Sequence, residues 1–363
     1  MGTNASSRPK SATKFLFKHP IPMRYKLLGT SGLRVSQLCL GTMTFGEDWG
    51  WGANREESQA QFDAFTNAGG NFLDTANVYT NGTSEKLLGE FIHSDRDRFV
   101  VATKYSLNMD AKGNPNAAGN HRRNMMRAVE ESLKRLGTDY IDLYWMHIWD
   151  QSTPAEEVMR GFDDLVRQGK ILYAGISDTP AWWIAHANTL AHLRGWSPFA
   201  ALQIEYSLIE RTVERELIPM AQAYGLAVTP WAPLGAGVLT GKYSGGAEKT
   251  TRGGKITEER RKIADAVVGV ANEIDAKPSQ VALAWLMAQP GTVIPIVGAT
   301  KAAQVIDNLG SLDIKLSPEQ MEKLNEVSKV DLGFPGRFFV GEAARRLTSG
   351  GMYNQIDWTG PRL

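Results

Sequence analysis

Three features of the chain predict an α/β fold of the (β/α)8, or TIM-barrel, class, with an N-terminal β-hairpin and extra C-terminal helices and tail. Aliphatic or β-branched runs recur at residues 38 to 42, 71 to 76, 99 to 104, 141 to 147, 171 to 177, 201 to 207, 226 to 232 and 293 to 298, eight in all. Helix-patterned segments separate them, and most intervals from one run to the next are 25 to 42 residues, the span of a right-handed βαβ unit. The runs are apolar throughout, as parallel strands covered on both faces must be. No Pro/Ser-rich linker divides the chain, so residues 23–363 are expected to form one domain.

In chain order, the opening MGTNASSRPKSATKFLFKHPIP is small, polar and basic, with no acidic residue before Glu47. Residues 1–22 are read as a flexible basic extension rather than a transit peptide. RYKLLGTSGLRVS reads as two short strands around a Gly-containing turn, placed to plug the bottom of the barrel. Between the runs, segments such as RRNMMRAVEESLKRLG and PAEEVMRGFDDLVRQG carry the helical period and end in the glycine expected just past a helix C-terminus. The seventh interval is 67 residues long. It begins with GAGVLTGKYSGGAEKTTRGGK and closes with two helical patterns, and loops of this length are usually functional or disordered. Beyond Val330, the aromatic residues Phe334, Phe338, Phe339 and Trp358 argue against a solvated tail, so this segment is expected to fold back over the barrel.

Composition removes several function classes. The chain has 42% hydrophobic and 22% charged residues and a formal net charge of +1, so neither disorder nor a field that would draw nucleic acid is indicated. No run approaches the roughly 18 apolar residues of a membrane span. The single Cys39 rules out an intramolecular disulfide and a multi-cysteine zinc site, and fits a reducing, cytoplasmic setting. Six histidines without an HxH or HExxH arrangement speak against a metal-dependent barrel hydrolase.

The chemistry gathers at strand ends. Asp74 and Tyr79 follow the second run, Lys104 closes the third and His147 closes the fourth. The C-terminal ends of barrel strands form one face, so these four residues are expected to meet there. A tyrosine hydroxyl titrates near 10, and an adjacent ammonium is expected to lower that value, with Asp74 holding the lysine charged. Tyr79 could then give a proton to a carbonyl oxygen while His147 donates a hydrogen bond to it. No activated Ser, Cys or carboxylate nucleophile is evident nearby, which leaves room for a bound hydride donor. Singly, each residue has a structural reading, as a buried ion pair, a core ring or a strand-end histidine bound to backbone. The joint pattern is harder to obtain from packing alone.

From Arg24 through Asn308 the sequence resembles the aldo-keto reductase family. The catalytic set of that family matches FLDTANVY with Asp74 and Tyr79, VATK with Lys104, and LYWMH with His147. The resemblance implies tyrosine as general acid, lysine and aspartate as its tuners, and histidine as the group that orients the carbonyl. It also implies a nicotinamide cofactor bound without a Rossmann fingerprint, and no convincing GxGxxG follows an early strand here. Ser177, Asp178 and Gln203 match the positions that hold the nicotinamide carboxamide. Asp178 stands where the family often has asparagine, and a carboxylate cannot donate to the carboxamide oxygen, so Ser177 and Gln203 are expected to supply the donor. Trp231 matches the aromatic ring that lies against the nicotinamide. Thr42 and Met43 at the end of the first run, Asp74 in the second, and Ala232, Pro233, Leu234 and Gly235 at the end of the seventh are implied cofactor contacts, with Lys242 and Arg252 as phosphate cations. GATKAAQVIDN resembles the adenosine-binding segment, which implies contacts from Gly298, Thr300, Lys301, Gln304, Asp307 and Asn308. The cations Lys301, Lys242 and Arg252 suit a 2′-phosphate, so NADPH is expected in preference to NADH.

The substrate is expected to be a small-molecule carbonyl compound, bulky or cyclic, walled by Phe45, Trp49, Trp51 and Trp149. Trp145 is assigned to the core on the reading that strand alternation turns it away from His147. A homo-oligomer is compatible with the sequence. The rival to a carbonyl reductase is a cofactor-sensing regulatory subunit, such as a channel-associated one, with little turnover.

Overall fold

The computed structural model describes residues 23–110, 112–243 and 256–357. Two short strands, β1 (Tyr25–Leu27) and β2 (Arg34–Ser36), form the expected antiparallel hairpin, with Tyr25 opposite Ser36 and Leu27 opposite Arg34. Eight parallel strands follow: β3 (Cys39–Gly41), β4 (Phe72–Asp74), β5 (Val100–Tyr105), β6 (Ile141–Met146), β7 (Ile171–Ser177), β8 (Phe199–Glu205), β9 (Ala227–Trp231) and β10 (Ile296–Gly298). Their order is β10-β3-β4-β5-β6-β7-β8-β9. The circle closes where Val228 of β9 bridges Val293 in parallel, with Ile294 N donating to the Val228 carbonyl at 2.8 Å. Each strand of the eight coincides with one of the predicted runs, to within a few residues at its ends.

Helix boundaries have local causes. Asn54 caps the helix Arg55–Asn67 by accepting from Glu57 N at 2.9 Å, satisfying a donor that has no partner within the first turn. The helix Arg122–Leu136 ends on Gly137 at φ 63°, a left-handed conformation that glycine adopts without a Cβ clash. No helix among the described residues is long and apolar enough to cross a membrane.

Strand alternation divides two packed layers and thereby places the site. Phe72, Val100, Ala102, Leu143, Trp145, Ala201 and Ala227 share an inner cluster, whereas Leu73, Val101, Tyr144 and Met146 join the larger cluster beneath the helices. Period-two geometry therefore carries Asp74 after Phe72, Lys104 after Ala102 and His147 after Trp145 towards the barrel axis. Trp145 is buried as expected, but the reason is corrected: it lies on the same side of its strand as His147 and fills the barrel interior. Small neighbours make room for its ring, and a Cβ at Gly175 would stand 2.3 Å from it.

The C-terminal segment returns to the barrel, with Leu332, Pro335 and Phe339 lining a cavity with Pro180, Thr212 and Leu217, but it buries little of its aromatic surface. Arg211 donates to Ser328 Oγ at 2.8 Å and Arg215 to the Asp331 carbonyl at 2.8 Å, so the chain is tied down that far. Beyond it, Phe334, Phe338 and Phe339 are 86%, 59% and 52% exposed, although aromatic content argues for burial. The helix Gly333–Phe339 is a seven-residue element with no buried residue, too short to present a continuous apolar stripe to the barrel. Trp358, residues 1–22 and Arg252 lie outside the described residues.

Candidate active site

Asp74 and Lys104 end up almost fully buried on neighbouring strands, and their side chains form an ion pair. Lys104 Nζ donates further to the Thr75 carbonyl at 2.8 Å and to the Tyr79 hydroxyl at 3.1 Å, filling its three donor positions. Asp74 Oδ1 accepts from Gln203 Nε2 at 3.0 Å, so both carboxylate oxygens are engaged. A buried charge is tolerable only when paired and hydrogen-bonded in this way.

Tyr79 is positioned by a strained turn. Thr80, Asn81 and Gly82 take φ of 45°, 54° and 90° in succession, a costly sequence for residues with side chains. The turn is pinned by Thr80 Oγ1, which donates to the Phe45 carbonyl at 2.6 Å and accepts from Ser84 N at 3.0 Å. The His147 ring meets Tyr79 edge-on with centroids 5.9 Å apart, and its backbone N–H donates to Ser106 Oγ at 3.2 Å.

Burial and charge act in opposite directions on this cluster. For Lys104, burial disfavours the ammonium, but Asp74 and Tyr79 outweigh it and raise the pKa above its ordinary value. For Tyr79, burial is the largest influence and raises the pKa; Lys104 pulls it down without reversing the direction. The expected net lowering of the tyrosine is thus corrected: without ligand, Tyr79 stays firmly protonated. His147 is pushed down to about 3, first by burial and then by the Lys104 charge, so its imidazole is neutral at physiological pH. Its Nδ1 is buried without a hydrogen-bond partner.

Beside this cluster, Ser177 ends β7 and Asp178 follows it. The Ser177 hydroxyl is buried and lacks a partner, and Asp178 has φ 40°. Asp178 Oδ1 accepts from Trp231 Nε1 at 3.0 Å. A donor-capable hydroxyl next to an acceptor carboxylate fits a carboxamide, and the orphaned Nδ1 of His147 marks a second polar position still to be satisfied. Gln203 has one amide N–H committed to Asp74 and therefore only one left for a ligand. The chain then turns through Ala232 at φ 48° and Gly235 at φ 55°, with Pro233 and Gly235 buried and Leu234 partly so.

Other expected contacts are engaged within the protein. The Thr42 hydroxyl is fully buried, donating to the Asp74 carbonyl at 3.0 Å and lying 2.9 Å from Ser84 Oγ, while Met43 is half-buried. Gln304 Oε1 accepts from Thr300 N at 2.9 Å and Lys301 N at 3.2 Å, capping the helix Ala302–Leu309. Asp307 is paired with Lys277 and accepts from Ser279 Oγ at 2.8 Å, so it turns to the helix Pro278–Met287; Asn308 is buried. Gly298, Lys301 and Lys242 are exposed, and Lys242 Nζ lies 4.8 Å from the centre of the Tyr243 ring.

Of the expected substrate wall, Trp49 lies edge-on to Tyr79 at 6.4 Å and 5.6 Å from Trp51, and Trp51 is 43% exposed. Phe45 is fully buried, its ring edge-on to Phe91 at 6.1 Å, and its carbonyl accepts from Thr80 Oγ1 in the turn after Tyr79. Trp149 meets Trp182 edge-on at 5.8 Å, and Trp182 is 61% exposed. The sequence reading missed Trp182, whose only signal is a Trp pair at the start of a helix. It also missed the Gln203 to Asp74 bond, which links strands 129 positions apart.

A barrel with this strand-end constellation defines a carbonyl-handling oxidoreductase. The family profile for the aldo/keto reductase family matches residues 37–329, and the chain belongs to that family. It is 41% identical to an aryl-alcohol dehydrogenase [NADP(+)] of Phanerodontia chrysosporium over 332 residues, covering 85% of this chain and 86% of that protein. A norsolorinic acid reductase of Aspergillus flavus is 36% identical, covering 86% and 82%. A putative aryl-alcohol dehydrogenase of Saccharomyces cerevisiae is 38% identical, covering 84% and 86%. The protein is thus an oxidoreductase of the CH–OH/C=O type that uses a nicotinamide cofactor.

Proposed function

We propose that this enzyme interconverts aromatic aldehydes or ketones and their alcohols with NADP(H). The observation that carries the reading is the 3.1 Å bond from the buried Lys104 ammonium to the Tyr79 hydroxyl, beside a neutral imidazole. Bound nicotinamide supplies or accepts the hydride at the carbonyl carbon. Tyr79 delivers a proton to the carbonyl oxygen in reduction and takes it back in oxidation. Lys104, held by Asp74, stabilises the negative charge left on the tyrosine oxygen as the proton departs. A neutral His147 carries one ring N–H, which it donates to the substrate oxygen.

Ser177, Asp178 and Gln203 would hold the carboxamide and Trp231 the face of the nicotinamide. Lys242, Lys301 and Arg252 are the cations for the phosphates, and a 2′-phosphate is the reason for preferring NADPH. Trp49, Trp51, Trp149 and Trp182 supply flat apolar surface near the mouth, which supports aromatic substrates. The names of the relatives, aryl-alcohol dehydrogenase and norsolorinic acid reductase, agree with that choice.

The test is turnover of purified protein with NADPH and matched aryl, alkyl and quinone carbonyls, followed at the reduced-nicotinamide absorbance. Aryl aldehydes should show kcat/KM at least about tenfold above alkyl aldehydes of similar size. Tight cofactor binding without turnover of any carbonyl would overturn the reading.

A further inference from the structure

Asp178 is a carboxylate where a neutral amide would make the same hydrogen bond to Trp231. Asparagine also offers an acceptor oxygen and tolerates the positive φ of 40° seen here. What the carboxylate adds is charge. Within the catalytic cluster the charges are balanced: Lys104 is paired with Asp74, Tyr79 holds its proton and His147 is neutral. A second carboxylate stands close, since Glu205 at the end of β8 lies in register with Trp231. Asp178 interacts electrostatically with Tyr79, Lys104 and Glu205; burial raises its own pKa, while the Trp231 bond and the Lys104 charge favour the ionised form.

An oxidised nicotinamide ring is a cation and the reduced ring is neutral, whereas the phosphates and ribose are the same in both. We propose that Asp178 sets the redox preference of the cofactor subsite: its carboxylate, hydrogen-bonded to the Trp231 indole, favours oxidised over reduced nicotinamide. The proposal rests on the reading that nicotinamide lies on Trp231. Such a charge leaves the overall alcohol and carbonyl equilibrium unaltered. It shifts the balance among bound forms towards oxidised cofactor, favouring alcohol oxidation on the enzyme and slowing release of NADP+ after reduction.

The experiment is calorimetric titration of wild type, Asp178→Asn and Trp231→Leu with NADP+ and, separately, NADPH. Asp178→Asn should weaken NADP+ about five- to tenfold and change NADPH by less than about twofold, as expected for one charge near a partly solvated cation. A tenfold change in the ratio of the two affinities corresponds to about 30 mV in the potential of the bound couple. If Trp231→Leu weakens both forms but Asp178→Asn leaves their ratio unchanged, the redox preference is wrong while the stacking reading stands. If Trp231→Leu alters neither affinity, the stacking reading is wrong and the proposal falls with it.

Discussion

The cluster on the barrel axis and the segment after β10 contrast in how each satisfies its polar groups. Asp74 and Lys104 sit on strands, are buried, and have their bonds fixed by residues far apart in sequence. Gln304 and Asp307 sit on a short surface helix and spend their side chains on the cap and on the next helix. The first region is built before any ligand arrives, because buried charges without partners would be too costly. In the second, any ligand contact of the kind proposed would have to replace contacts within the protein, so a single residue there carries less weight.

The largest expected effect is on the axis. Tyr79→Phe removes the proposed proton donor but keeps the ring, and should lower carbonyl reduction by roughly 10² to 10⁴. Affinity for NADPH, measured by titration, should stay within about twofold. Retained turnover would remove Tyr79 from its role and erase the functional side of the contrast.

Next comes the buried pair. Lys104→Met leaves Asp74 as an unpaired buried carboxylate, and breaking such a pair costs about 3–5 kcal/mol. Urea unfolding should register that loss, and adding Asp74→Asn should restore a substantial part of it. A single variant as stable as wild type would mean that the axis is no more preorganised than the surface.

His147 gives a pH-dependent test. Its pKa is about 3 when folded and near 6.5 when unfolded, so between these values only the unfolded chain takes up the proton. Its contribution to stability is therefore present above about pH 6.5 and lost as pH falls through the window, at up to about 1.4 kcal/mol per pH unit. His147→Asn should unfold with a shallower loss between pH 6 and pH 4.5, on the order of that slope. Parallel stability curves for the two proteins would contradict a buried, neutral imidazole.

The same contrast explains what could be read from sequence. Strand runs and their two-residue period place Asp74, Lys104 and His147 on one face without knowledge of any contact, because barrel topology does the gathering. Tyr79 is legible as a neighbour of β4, and the Asn81-Gly82 pair signals part of the positive-φ turn that aims it, but the positive φ of Thr80 has no such local signature. The alternation argument for Trp145 failed on parity, and the direction of the Tyr79 shift failed on magnitude: the lysine is visible in a sequence, whereas the depth of burial opposing it is not. Phe45 looks like any other aromatic in a loop until its carbonyl is found supporting Thr80. Surface helices give weaker signals still, since a polar residue such as Gln304 serves equally well as a cap or as a ligand contact.

The smallest expected effect separates those two uses. Lys301 is exposed, and its backbone N–H already serves the cap through Gln304, so Lys301→Ala keeps that bond and removes only the ammonium. Stability should change by less than about 0.5 kcal/mol, as for most surface substitutions. The ratio of NADPH to NADH affinity should fall about three- to tenfold if the ammonium meets a 2′-phosphate, and the loss should shrink as salt is raised. An unchanged ratio at low salt would assign Lys301 to the solvated surface and leave discrimination to Lys242 or Arg252. Gln304→Ala should instead cost about 1 kcal/mol of stability through the lost cap, and should weaken both cofactors if the same side chain meets the nucleotide.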